Sequence, residues 1–374
     1  MKILVDLLYI DNPEPSGIKK YGFKLLLDFR KYASQIELGV LCTSQMLEFI
    51  QSNIGDNYRF LPIEKSEFNK MRNGYDGFRK KYTRKSSIIE SYDFIISTCA
   101  NYPTVLFSPY IKHVGVIHDL QMIQLLKKSK NVFRSIFQFF DIKRKIKRLD
   151  YIITISKNTS CAVKKFTNKD SHVIYYALEP PTKNEFKPKH FPFSESEKYI
   201  LDVNTFYRYK NADVLLEAFS VIHEQFPNYR LYFKGNYCKE FDRLPKIASE
   251  LGIEDKVYFD LNHLSEDEMS WLYSNASLFV SPSLMEGFGA TPIEAITHNT
   301  PVLVSNIDTL KEVVRDCATF FDPSNVTDLV ENLTESINNQ ISQAELDKRK
   351  QFMLDVYSRK SQVMNYLNFL TSLN

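Results

Sequence analysis

Short, almost unbroken apolar runs punctuate the chain at residues 3–8, 36–41, 93–97, 114–117 and 151–155, with helical stretches between them. Apolar runs of strand length without polar alternation suit a parallel sheet covered on both faces. Their alternation with helices, the first over residues 18–32, predicts a doubly wound α/β domain. A second series begins after a segment rich in proline and charge that holds Pro180, Pro181, Pro188 and Pro192. Its strands are expected at 199–203, 230–235, 256–259 and 278–280, and a helix at 212–226. The reading is therefore an N-terminal domain over 1–182, a linker over 183–197 and a C-terminal domain over 198–356, with a helical tail from 343 to 373.

The stretch 281–295 reads Ser-Pro-Ser-Leu-Met-Glu-Gly-Phe-Gly-Ala-Thr-Pro-Ile-Glu-Ala. It leaves an expected strand, passes Gly287 and Gly289, and enters a helix at Thr291-Pro292. Proline suits a first helical turn because its missing N–H would have no partner there. A strand, a glycine turn and a helix N-terminus aim backbone N–H groups and a positive dipole end at one point, a site for an anion such as a diphosphate. Glu286 and Glu294 flank that point. Phosphate repels a carboxylate, so hydroxyls are the fitting partners, and phosphate plus many hydroxyls describes a nucleotide sugar. Thr291 with Glu294 equally fits a capping box, and Glu286 an ordinary loop carboxylate. Ser265 with Glu268, and Thr309 with Glu312, also read as capping boxes.

Two further positions sit at strand ends. His118-Asp119 directly follows the 114–117 run, and ligands of such sheets lie beyond the carboxyl ends of strands. A histidine packed at a domain surface is the other reading. Gly17 sits where the first strand feeds the first helix, as a plain turn glycine also would. No G-x-G-x-x-G occurs, so this is not a dinucleotide fingerprint.

Glu286 and Glu294 stand in Glu-Gly-Phe-Gly-x-x-Pro-x-Glu-Ala, which resembles the signature of the retaining glycosyltransferases of family 4, enzymes of the GT-B fold. The flanks at 272–283 and 300–306 are similar too, and the resemblance is continuous over about 202–323. It implies an α/β, GT-B architecture: two Rossmann-like doubly wound domains facing a central cleft. The donor would lie mainly on the second domain and the acceptor on the first, with a last helix, about 357–374, packing back on the first domain. The loop 204–211, Asn-Thr-Phe-Tyr-Arg-Tyr-Lys-Asn, resembles the family's Gly-Thr-x-x-x-Arg-Lys-Asn loop. Lys210 matches the lysine that holds the donor diphosphate. Arg208 is shifted one position from the usual arginine, and Asn204 stands where glycine is common. Cations at a helix start oppose the dipole, which favours an anion partner.

By the same resemblance Glu294 binds ribose hydroxyls and Glu286 the sugar hydroxyls at the reacting face. His118 lies near the donor sugar, and Gly17 near the diphosphate or the acceptor. His263 and Leu264 lie against the base, and the backbone at Gly287, Phe288, Gly289 and Ala290 helps Lys210 and Arg208 hold the diphosphate. Glu286, His118 and Lys210 are the expected catalytic residues. The implied reaction retains the anomeric configuration by front-side attack, the departing phosphate taking the acceptor's proton; a covalent intermediate on Glu286 is the rival. No D-x-D occurs, so neither a metal nor another cofactor is expected. The motif is similar to bacterial surface-polysaccharide mannosyl- and rhamnosyltransferases. GDP-mannose is the first expectation for the donor, and a glycan or lipid-linked glycan for the acceptor. A non-catalytic sugar-nucleotide-binding subunit and a GT-B nucleotide-sugar epimerase are the alternatives.

At 374 residues the chain suits two domains, and 44% hydrophobic with 25% charged residues is the composition of a soluble globular protein. A net charge of +3 does not by itself imply nucleic acid. Five scattered cysteines without C-x-x-C indicate neither a zinc site nor a disulfide framework, which fits a reducing, cytoplasmic setting. Residues 1–10 carry Asp6 within an apolar run and lack a cleavage site, so they read as a strand and not as a signal peptide. No run approaches the ~20 apolar residues of a membrane span. Residues 125–148 are strongly basic, with an apolar stripe of Phe133, Ile136, Phe137, Phe140 and Ile146. Such a helix can lie on an anionic membrane surface, with residues 79–85 adding charge. A core-packed helix with a solvated face is the other reading.

Overall fold

The computed structural model of the chain describes residues 1–14, 17–64, 91–100, 111–121, 123, 132–182 and 184–373. The chain divides into two compact units, Met1–Tyr175 with Arg359–Asn374, and Tyr176–Ser358.

In the first unit the described strands are β1 (Lys2–Asp6), β2 (Glu37–Thr43), β3 (Arg59–Ile63), β4 (Phe94–Ser97), β5 (Lys112–Ile117), β6 (Tyr151–Thr154) and β7 (His172–Val173). The described helices between them are α1 (Gly17–Tyr32), α2 (Leu47–Ile54), α3 (Val132–Arg148) and α4 (Lys157–Thr167). The strands pair in parallel in the order β3-β2-β1-β4-β5-β6-β7. β3 and β7 are not among the strands expected from the sequence. β3 is half exposed and carries Pro62, which a position near the sheet's edge tolerates. β7 is two residues long and lies at the other edge.

In the second unit the strands are β8 (Lys198–Asn204), β9 (Tyr229–Gly235), β10 (Val257–Asp260), β11 (Leu278–Ser281), β12 (Val302–Ser305) and β13 (Thr319–Phe321). Its helices are α5 (Ala212–Ile222), α6 (Leu244–Glu250), α7 (Glu266–Ser274), α8 (Ala290–Thr297), α9 (Asp308–Val314), α10 (Val326–Asn338) and α11 (Gln343–Val356). The parallel order is β10-β9-β8-β11-β12-β13. Its core joins Leu215 and Phe219 of α5 to Leu231 and Phe233 of β9 and Val280 of β11. Residues 184–197, expected as a linker, lie within this unit. Phe191 there rests against Tyr199 at 5.3 Å, Tyr232 at 5.6 Å and Trp271 at 4.9 Å between ring centroids.

The expected helical tail is two helices, because the chain breaks after α11 at Tyr357–Ser358. The last, α12 (Arg359–Ser372), belongs to the first unit. Arg359 Nε donates to the buried carboxylate of Asp28 at 2.6 Å, and the hydroxyls of Tyr366 and Tyr21 lie 2.6 Å apart.

Of the basic, amphipathic stretch, residues 125–131 and 79–85 fall outside the described residues. Along α3 the expected stripe divides: Ile146 is buried, whereas Ile136 and Phe140 are 49% and 62% exposed. Lys145 is buried against Asp141. Among the described residues no helix is long and apolar enough to cross a membrane.

Candidate active site

β8 and β11 lie side by side in the second sheet, and the strand order runs away from them in opposite directions. Such a reversal opens a crevice at the carboxyl ends of the two strands. The loops leaving those ends are 205–211 and 282–289. They are tied together where Leu284 N–H donates to the Tyr209 carbonyl at 2.8 Å. The first loop ends in a 3-10 turn, Arg208–Lys210, followed by Asn211 in the left-handed region at φ 59°. Asn211 Nδ2 fastens that turn to the Pro323 carbonyl at 3.0 Å.

Lys210 Nζ meets Glu286 Oε1 at 2.7 Å, with 17% and 10% of the two side chains exposed. The Glu286 backbone is held as well, because Thr309 Oγ1 donates to its carbonyl at 3.1 Å. This corrects the expectation of a capping box at Thr309. α9 begins two residues earlier, with Ile307 at the cap and no side-chain cap bond.

The glycine turn then enters α8 with Gly289 as N-cap at φ 86° and no side-chain cap bond. The Thr291–Glu294 capping box does not form, since Thr291 already lies inside the helix. Glu294 is turned elsewhere: its Oε2 accepts from the Tyr273 hydroxyl at 2.8 Å. Burial and the neighbouring Glu294 hold the Tyr273 phenol well above its ordinary range, so it stays a donor. The Tyr273 ring stacks on His298, whose ring nitrogens lie 2.7 Å from the Glu294 carbonyl and 3.0 Å from Ser270 Oγ. Phe288 is buried, with Tyr176 and Tyr357 at 6.0 and 5.4 Å between centroids, so only its backbone could face a ligand.

Below the Lys210–Glu286 pair lies Asp202, 2% exposed and two residues from the end of β8. Burial raises its carboxyl to about 7, against the opposing pull of Asn204 and Lys210, with Glu286 adding to the rise. Asn204 Nδ2 donates to Asp202, and Asn204 Oδ1 accepts from Phe206 N–H at 2.6 Å. Asp202 and Tyr273 were not singled out from sequence, and Thr309 was read only as a helix cap. The available signal was the aspartate itself, a charge inside the apolar run Tyr199-Ile-Leu-Asp-Val203.

The remaining expected residues of this unit spread along the same sheet edge. Arg208 is exposed, and its backbone N–H is fixed by Glu240 at 2.6 Å. His263 is exposed and Leu264 half-buried, just before the Ser265–Glu268 capping box, which forms as expected. Their loop is shaped from beneath: the buried Lys234 Nζ donates to the Asn262 carbonyl at 2.7 Å, and Asp260 Oδ1 accepts from Asn262 N–H at 2.8 Å.

Gly17 and His118 belong to the first unit. Gly17 opens α1, is exposed, and among the described residues has nothing within 4 Å of where a Cβ would stand. His118 follows β5 and is buried, with Nε2 2.7 Å from the Thr98 carbonyl and its ring edge-on to Tyr21 at 4.7 Å. Burial lowers its pKa despite that bond and the charge of Asp119. The ring is therefore neutral at pH 7, with Nε2 donating and Nδ1 an acceptor.

A model for glycosyl transferases group 1 matches residues 183–352. The O-antigen chain mannosyltransferase RfbU of Salmonella typhimurium is 27% identical over 68% of this chain and 71% of its own length. The serotype-specific mannosyltransferase WbdA of Escherichia coli is 26% identical over 63% of this chain, a match that spans only 30% of that relative. Among solved structures, Anabaena HepE in complex with UDP and glucose superimposes with a TM-score of 0.70 over 100% of both chains, at 14% identity. Residues 183–352 are therefore a glycosyl transferases group 1 domain, carried on a chain with the two parallel-sheet, Rossmann-like halves of the GT-B fold.

Proposed function

We propose that this protein is a retaining mannosyltransferase that takes its sugar from a nucleotide diphosphate donor, first of all GDP-mannose. The acceptor is a glycan or lipid-linked glycan of a surface polysaccharide. The observation that carries this reading is the Lys210–Glu286 pair, set at the reversal of strand order beside the N-terminus of α8. The names of RfbU and WbdA as mannosyltransferases support the sugar, and the UDP and glucose bound to HepE support a nucleotide–sugar ligand.

The chemistry follows from donors and acceptors. The Lys210 ammonium has three N–H groups, and Glu286 takes one of them. The others are available to diphosphate oxygens. As the glycosidic bond breaks, the leaving phosphate gains negative charge, and a fixed cation beside a helix N-terminus stabilises that charge. Arg208, exposed on the same loop, adds to it. Glu286 keeps acceptor capacity for sugar hydroxyls, and Glu294, held by Tyr273, keeps it for the ribose. His263 and Leu264 form the flank for the base. The acceptor attacks from the side the phosphate leaves, and that phosphate takes its proton. In this reading the protein's own cations supply the charge, and no metal or other cofactor takes part. The exposed Ile136 and Phe140, on a helix rich in lysine and arginine, are the proposed contact with an anionic membrane surface.

The test begins with melting temperature in the presence of GDP-, UDP- and dTDP-sugars, since a ligand that binds only the native state raises it. GDP-mannose is expected to give the largest rise, and a lipid-linked glycan is then expected to receive mannose with its anomeric configuration kept. His118→Ala reads the part of that imidazole. Stabilisation by none of the donors overturns the reading. Donor conversion with no acceptor would make the protein an epimerase, and binding without turnover a non-catalytic subunit.

A further inference from the structure

The residue before the Lys210 loop is Asn204, at a place where a glycine would give the chain more freedom. Both ends of its side-chain amide are engaged: Oδ1 accepts the Phe206 N–H at 2.6 Å and Nδ2 donates to Asp202. Phe206 needs that support. It lies at φ 48°, in the left-handed region, which a bulky residue adopts only when its surroundings over-determine it. The other constraints are its buried ring, 5.2 Å from Phe241, and its carbonyl, which accepts from Arg243 Nη1 at 3.0 Å. Gly235 at the end of β9 completes the seat, because a Cβ there would collide with the Asn204 carbonyl and the Phe206 ring. Four residues after Phe206 comes Lys210.

We propose that Asn204 and Asp202 are positioning residues for transfer: Asp202 orients the Asn204 amide, the amide holds the turn at Phe206, and the turn sets Lys210 in register with Glu286. Asp202 is suited to the task because it is buried, lies within β8 two residues from its end, and is within electrostatic reach of both members of the pair it helps to align. Its side chain therefore links the entry of the loop to the ion pair at its exit. The role in transfer rests on the function proposed above; the role in holding the loop does not.

The experiment has an arm for each. Hydrogen exchange of the 204–211 backbone, and the rate at which an amine-acylating reagent labels Lys210, are read by mass spectrometry on the whole protein without ligand. Asn204→Gly is expected to speed exchange at 205–210 at least tenfold and Lys210 labelling several-fold, leaving exchange in α10 unchanged. Asp202→Ala is expected to do the same, whereas Asp202→Asn, which keeps an acceptor oxygen, stays within twofold of the wild type. The double variant Asp202→Ala/Asn204→Gly is expected to be no worse than either single one, because both cut the same relay. In mannosyl transfer Asn204→Gly is expected to lower kcat at least tenfold with donor KM within threefold. Exchange and labelling unchanged in Asn204→Gly, or fully additive effects in the double variant, would overturn the proposal. If exchange responds as expected while the wild type transfers no sugar, the loop-holding role stands and the assigned reaction falls.

Discussion

Lys210 Nζ and Glu286 Oε1 meet at 2.7 Å from loops 76 residues apart in the chain. Both side chains are largely shielded from water, so removing one leaves a shielded charge alone. Lys210→Met is therefore expected to lower kcat/KM about 10²–10³-fold, the usual cost of a lost preorganised electrostatic contact. It should also lower stability by roughly 2 kcal/mol, less than for a fully buried pair. Steady-state kinetics and urea denaturation of the same preparation check both, and an activity loss below threefold would contradict the assigned role.

Glu294 is held by Tyr273, and the two should act as a unit. Tyr273→Phe removes the hydroxyl and leaves the ring against His298, so it is expected to cost about 1 kcal/mol of stability. Donor KM should rise several-fold with kcat little changed, because the ribose is bound alike before and during transfer. Once Glu294 is alanine, Tyr273→Phe should have no further effect on KM.

Gly289 combines φ 86° with a neighbour, Leu310 Cδ2, 2.5 Å from where a Cβ would stand. Gly289→Ala is expected to destabilise the protein by roughly 1–3 kcal/mol, from strain and overpacking together. Adding Leu310→Ala relieves only the second, so Gly289→Ala should cost less in a Leu310→Ala background. Thermal unfolding of the four proteins of that cycle measures the difference.

Asp202 is about 7 in the folded protein against an ordinary value of 3.8. The folded state thus holds a proton that the unfolded chain has lost. Stability from this group is full below about pH 4, declines as pH rises, and is gone above about pH 7. Asp202→Asn should therefore look better, relative to wild type, at pH 8 than at pH 4, by on the order of a few kcal/mol. Asp6 ends β1 much as Asp202 lies two residues from the end of β8, is buried beside Ser97, and is likewise raised to about 7, so Asp6→Asn should behave alike. Urea denaturation across that pH range provides the measurement; a flat difference would contradict it.

Much of the fold was legible because central strands of a parallel sheet are apolar on both faces and stand out as runs. β1, β4, β5, β6, β8 and β11 were placed in this way. β3, β7, β12 and β13 were missed: β3 is half solvated, β7 and β13 are two and three residues long at sheet edges, and β12 is a buried run of only four residues. Of the helix caps, Ser265–Glu268 held, while the Thr291 and Thr309 boxes did not. A residue pattern cannot say where a helix begins when a glycine or a tertiary contact takes the cap's place. The aspartates inside strands were visible as letters, but their neighbours were not.

The linear order of residues determined the local alternation of strand and helix, the glycine turn before α8, and the residue types that could face a phosphate and hydroxyls. These depend on propensity, periodicity and backbone freedom over a few positions, which neighbours in the chain already set. Tertiary structure decided which groups meet. Lys210 pairs with Glu286 because β8 and β11 are adjacent where the sheet reverses, Thr309 reaches the Glu286 carbonyl because β12 lies beside β11, and Tyr273 meets Glu294 because α7 and α8 pack together on either side of β11 in the chain. That adjacency comes from burying every apolar strand at once, a condition on the whole unit that no short stretch contains.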